Sequence, residues 1–252
     1  MLVCFGCQWQ MAPHDSEAAD RRIEVSRFDR IESLYLTTGD FSAMQQMNTS
    51  YPAQTRMLIE DVLKLGHVND PDINTKFLTY FQDSTLQQLI DETQRQYANM
   101  DDLNEQLNNA FDQLKKALPE LPTPHIYAQI SSFDQSIVVG DSTLGISLDK
   151  YLGANYPLYK KFGYTDRQLR TMTRAFIVPD CLSFYLLSCY PLAPDSVEQR
   201  ETRMLHMGRI QWVVNTVLHQ QVFNNEFVEK AAAYMKQHPK TSTEDLLTLA
   251  CS

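Results

Sequence analysis

The 252-residue chain is short of positive charge: 22 lysines and arginines face 31 aspartates and glutamates, a formal net charge of −9. Those cations are scattered rather than clustered, so no surface is built to neutralise phosphates, and nucleic acid is not an expected partner. Long apolar runs are missing too. No stretch approaches the roughly 20 residues that a bilayer-spanning helix needs. The common catalytic signatures are absent: there is no GxSxG elbow, no Walker loop, no GxGxxG after a strand and no HExxH. The six histidines, at positions 14, 67, 125, 206, 219 and 238, never stand four apart on a helix, the spacing that brings two imidazoles onto one metal. Nothing local therefore predicts zinc, and no cofactor is expected. Apart from Cys4 and Cys7 in the first seven residues, no two cysteines have CxxC spacing, so the rest of the chain carries no zinc ribbon and no dithiol redox motif. There are no internal repeats and no low-complexity tracts.

What is present supports one substantial core, with 43% of residues hydrophobic. The first residues, MLVCFGC, form a short apolar run that ends in Gly6-Cys7 and passes into a polar linker. This reads as the tail of a bacterial lipoprotein signal in which Cys7 is acylated, with the natural start lying upstream. Residues 1–22 are then signal remnant and linker, and 23–252 a single helix-rich domain. Cys181 and Cys189 fall on one helix about 12 Å apart, too far for a disulfide, and read as buried thiols. His206 and His219, thirteen residues apart on another helix, cannot share a metal and read as surface or interface residues.

Helical patterning dominates the first half. The sequence IEVSRFDRIESLYL predicts an extended entry at Ile23–Val25 and then a helix with Phe28, Ile31, Leu34 and Tyr35 on one face. Ser84 and Gln87 have capping-box spacing, as do Thr165 with Gln168 and Ser196 with Gln199. The clearest helix carries Leu103, Leu107, Ala110, Phe111, Leu114, Ala117 and Leu118 as a stripe and stops at Pro119. Prolines 119, 122 and 124 close this half. His125–Ile130 and Ile137–Val139 then read as strands, and a turn at Gly140–Ser142 leads into Leu144–Leu148. Pro179 must kink a later helix or open a new one. The expected fold class is α+β, mostly helical with one small antiparallel sheet.

Three aspartates, Asp134, Asp141 and Asp149, are placed so that they could gather at one end of that sheet, although a turn aspartate such as Asp141 usually bonds its own backbone. Asp134, Asp149 and Asp180 are the candidates for acid-base work with a metal or water, and nothing positions a nucleophile or a third ligand beside them.

The run PHIYAQISSFDQSIVVGDSTLGISLDKYLGANYPLY, the later RAFIVPDCLSFYLL and the entry VSRFDR together resemble the gliding motility lipoprotein GldB family of the Bacteroidota. The similarity extends from about Ile23 to Leu218. It implies a lipid-anchored accessory of gliding motility or type IX secretion, acylated at Cys7 and residing in the outer membrane, and Gln8-Trp9-Gln10 after that cysteine, in place of an acidic cluster, point to the periplasmic side. The resemblance also implies that the terminal TSTEDLLTLACS begins a helix that usually continues. A more distant resemblance is to zincin-like peptidases, in which a strand like GISLDKYLG binds substrate by edge pairing and the next helix carries HExxH. Pro179 and Ser183 stand here in place of the two histidines and Asp180 in place of the glutamate, which implies a degenerate scaffold without its metal. The resulting expectation is a non-catalytic envelope lipoprotein that binds an envelope protein or peptide along a free strand edge at Ile146, Ser147 and Leu148, with Asp149 and Tyr151 at one end. A metal-dependent hydrolase of zincin-like ancestry is the alternative, and a purely structural periplasmic spacer a third.

Overall fold

The computed structural model describes residues 22–192 and 200–249. Among the described residues six helices precede the sheet: α1 (Phe28–Thr38), α2 (Phe41–Ser50), α3 (Pro52–Arg56, continued by a π-helical turn Met57–Val62), α4 (Ile73–Tyr80), α5 (Ser84–Gln96) and α6 (Asp101–Ala117). Three short strands follow: β1 (His125–Gln129), β2 (Ile137–Val139) and β3 (Thr143–Ser147). After a 3₁₀ turn at Leu148–Tyr151 come α7 (Pro157–Lys161), α8 (Asp166–Leu169), α9 (Ile177–Cys189), α10 (Arg200–Leu218), α11 (Glu226–Gln237) and α12 (Thr243–Thr248). The fold is α+β and mostly helical.

The sheet is mixed rather than antiparallel. Its order is β1-β3-β2, with β1 parallel and β2 antiparallel to β3. The hairpin turn closes where expected, Gly140 N–H donating to the Thr143 carbonyl at 2.9 Å. The segment between β1 and β2 carries the chain far enough sideways to leave a slot that β3 then fills. This overturns the free edge expected at Ile146, Ser147 and Leu148: β3 is the central strand, and even its last amide, Ser147 N–H, is used by the Ser136 carbonyl at 3.0 Å. The outer edge of β1 is partly covered by the N-terminal entry, whose Ser26 accepts from the Ala128 amide and donates to the Ile126 carbonyl, each at 2.9 Å. Gly145 has no side chain for a packing reason. A Cβ there would lie 2.5 Å from the ring of Tyr127, its register partner on β1.

Local rules explain most helices. The stripe Leu103, Leu107, Ala110, Phe111 and Leu114 is buried as the periodicity predicts. Thr165 and Gln168 form their capping box, whereas Ser196 and Gln199 lie outside the described residues, as does Cys7. At α5 the cap is Asp83, not Ser84: its carboxylate accepts from the Thr85 and Leu86 amides. The Gln87 amide instead reaches the Leu36 and Phe81 carbonyls at 3.1 and 2.7 Å. Pro179 opens a helix, sitting in the first turn of α9, where its missing amide costs nothing. Leu34 is 46% exposed, and the buried stripe of α1 runs through Phe28, Glu32, Tyr35 and Leu36. Cys181 is buried and Cys189 half-buried, both as free thiols. His206 is buried rather than at the surface, its ring nitrogen 2.7 Å from the Tyr190 carbonyl.

Candidate functional site: a hydrogen-bonded hub at one end of the sheet

Because β1 and β3 run parallel, the chain leaving each emerges on the same side of the sheet, and the conspicuous sequence blocks meet there. Ser132 and Phe133 take left-handed backbone, φ 54° and 68°, a conformation costly for residues other than glycine. Asp149 holds them in it. Its Oδ1 accepts from the Ser131 amide at 2.8 Å and its Oδ2 from the Phe133 amide at 2.6 Å. The result is an anion nest whose anion is the protein's own side chain. Asp149 is fully buried; burial raises its pKa, while the two amides and the Lys150 charge act in the opposite direction. Lys150 Nζ donates to the Phe133 carbonyl at 3.0 Å and to the Tyr164 hydroxyl at 2.8 Å.

A tyrosine layer extends the hub. The Tyr159 hydroxyl donates to the Asp149 carbonyl at 2.7 Å and accepts from the Leu152 amide at 2.8 Å. Tyr97 donates to the Tyr151 carbonyl at 2.7 Å, and Tyr151 in turn donates to Asp180 Oδ2 at 2.8 Å. Burial pushes the Asp180 carboxyl up to about 6, against the stabilising Tyr151 bond. The rings of Phe133 and Tyr159 meet edge to face, with centroids 5.4 Å apart, a geometry that favours aromatic pairs.

α1 supplies two further buried acids that the sequence pattern did not flag. Asp29 is neutralised by Arg27 through two bonds, at 2.8 and 2.7 Å, and accepts from Gln94 at 3.1 Å. Glu32 has no cation. Its Oε2 accepts from the Ile130 amide at 2.9 Å, its Oε1 is sealed from solvent without a partner, and the Gln129 Oε1 is orphaned in the same way. Burial, reinforced by the charges of Asp149 and Asp29, raises Glu32 well above the ordinary carboxyl range. Burial therefore favours the neutral acid, since an ionised carboxylate without a cation in this position would be far more costly. Its place in the stripe of α1, four residues from both Phe28 and Leu36, was the available signal.

The three expected aspartates do not gather. Asp149 is the hub centre, Asp134 stays exposed beside it, and Asp141 is exposed in the β2–β3 turn at the opposite end. Tyr151, expected at a binding edge, is buried in the hub. At the positions matched to a metal helix, Ser183 Oγ donates back to the Pro179 carbonyl at 2.8 Å and Asp180 is taken by Tyr151. Among the described residues no cluster of three or more His, Cys, Asp or Glu side chains is arranged to hold a metal ion. No helix among them is long and apolar enough to cross a membrane.

Fold and site thus define a helix-rich α+β protein organised around one sealed polar hub. A family model described as gliding motility protein GldB matches residues 9–226, and the chain belongs to that family. The family makes it a gliding-motility-associated lipoprotein, lipid-anchored in the cell envelope. No curated protein and no solved structure matches the chain significantly.

Proposed function

We propose that the protein is a non-catalytic accessory lipoprotein, anchored through acylated Cys7 in the outer membrane and facing the periplasm, which holds an envelope protein or peptide of the gliding or type IX secretion machinery. One observation carries this reading: the polar atoms of the family blocks are spent on one another. The carboxylate of Asp149 and the hydroxyls of Tyr151 and Tyr159 all have internal partners, which is how a scaffold is fixed and not how a reacting group is presented. With β3 enclosed, the partner is held by another surface.

The alternative, a hydrolase, is favoured by a single feature, the Asp180 carboxyl at about 6, in the range where acid-base catalysts work. Complementation of a deletion strain separates the two. Asp180→Asn keeps the acceptor for Tyr151 and should restore motility fully, whereas Cys7→Ala should fail to restore it and lose metabolic labelling by a fatty acid. Loss of rescue by Asp180→Asn at normal protein level would instead favour the hydrolase.

A further inference from the structure

The first turn of α9 faces the hub with Asp180 and turns a different surface toward α6 and the end of α10. Between these three helices lies a cavity of about 260 Å³. Its floor is apolar and buried, formed by Val178, Pro179 and Val217 with Ala110 beside them. Ala175 and Leu218 also line it, and its polar lining carries no carboxylate, ammonium or guanidinium: Gln106, Asn109, Gln113, His219 and Gln220. That neutrality stands out in a chain with 21% charged residues.

The amides are uncommitted. On the same helix α6, Asn104 and Asn108 spend their side chains on the Val25 and Ile23 backbone, at 3.0 and 2.7 Å. Gln106, Asn109 and Gln113, one face round, make no side-chain hydrogen bond among the described residues, and neither does Gln220. The rim is nonetheless fixed in place. His219 takes left-handed backbone, φ 51°, and the amides of His219 and Gln220 close α10 on the Thr216 and Asn215 carbonyls.

A carboxamide carries a donor and an acceptor side by side, the complement of a peptide group. A charged ligand group would lose hydration here without meeting a counter-charge. No phenylalanine, tyrosine or tryptophan ring lines the cavity to stack on the face of a sugar. The volume suits one or two residues rather than a large ligand. We infer that this cavity binds an uncharged, extended peptide segment, which sets a small apolar side chain on the floor of Val178, Pro179 and Val217 and bonds its backbone to the amide rim. The inference names the ligand class for the partner-holding role proposed above and rests on that reading.

The test is NMR titration of the full chain with acetyl-Ser-Val-Ser-amide, with its counterparts carrying glutamate or lysine at the centre, and with chitobiose. The expected result is saturable binding of the neutral peptide with a Kd of about 1 mM. The charged peptides should bind about tenfold more weakly, and chitobiose should not bind. Ala175 is exposed at the rim, so Ala175→Tyr should weaken the neutral peptide about tenfold while leaving the unfolding midpoint unchanged. Gln113→Ala should weaken it about threefold. No saturation by about 10 mM, equal binding of the charged peptides, binding of chitobiose in place of the peptide, or an Ala175→Tyr variant that binds like the parent would overturn the proposal. Those outcomes leave the Asp180→Asn rescue untouched. Failure of that rescue with the binding constants as expected would strike the non-catalytic reading alone.

Discussion

The two sides of the α9 N-terminus differ in how polar groups are used. Toward the sheet, Asp180 is bonded to Tyr151, and beyond it Asp149, Tyr159 and Tyr97 form a closed network with the backbone. Toward α6 and α10, the same turn contributes Val178 and Pro179 to an open cavity whose amides have no internal partner. The residues that look chemical in the sequence, Asp149 and Asp180 amid tyrosines and strand signals, are bonded within the protein. The residues left available for a partner are glutamines and an asparagine with no motif to announce them. A buried network is costly to disturb because each broken bond strands a group away from water, whereas a solvated amide can be replaced at little expense.

That contrast ranks the following substitutions by their effect on stability. Asp149→Ala strands the Ser131 and Phe133 amides and leaves two left-handed residues unsupported; chemical denaturation should show a loss of about 3 kcal/mol or more. Gly145→Ala forces a methyl against the buried Tyr127 ring and should cost about 2 kcal/mol in the same assay. A near-neutral result there would mean that the sheet yields more readily than its packing suggests.

Tyr151→Phe removes one hydrogen bond and should cost about 1 kcal/mol. It should also raise the Asp180 carboxyl further above about 6, because the lost bond favours the ionised form. A carboxyl-detected NMR titration reads this directly, and an unchanged or lowered value would contradict the assigned hydrogen bond.

Glu32, Asp149 and Asp180 all have raised pKa values in the fold. At these three groups the native state therefore holds protons more tightly than the unfolded chain, and their contribution is complete below the ordinary carboxyl range and lost as pH rises through the native values. For Asp180 that window runs from its ordinary value near 4 up to about 6. Glu32→Gln, which cannot ionise, should flatten the decline of the urea midpoint as pH rises above the ordinary carboxyl range. A slope identical to the parent's would show that Glu32 does not carry the proton. Ala175→Tyr, on the open side, should change stability by less than about 0.5 kcal/mol.

Legibility in the sequence followed the range of the interactions. The stripe from Leu103 to Leu114 repeats every turn within one helix, and the Thr165–Gln168 cap closes within four residues, so both could be read directly. The choice between Asp83 and Ser84 as a cap lay between neighbours and fell to the stronger acceptor. The position of β3 depended on where a seven-residue excursion returned relative to β1, which alternation of apolar residues does not encode. The role of Asp149 was hidden for the same reason: its partners lie 16 and 18 residues earlier in the chain, and only the mixed pairing brings them together. Glu32 is hidden from periodicity because an acid inside an apolar stripe breaks the pattern, although such a break marks a buried group.

The measurement that bears most directly on the hub as scaffold is motility rescue by Asp149→Asn, Tyr151→Phe, Tyr159→Phe and Asp180→Asn, set against the unfolding free energy of each purified variant. If the hub serves only to hold the fold, rescue follows stability across all four, and a variant as stable as the parent moves as well as the parent. A single variant of parental stability that fails to restore motility would contradict the account and make its altered group a functional one.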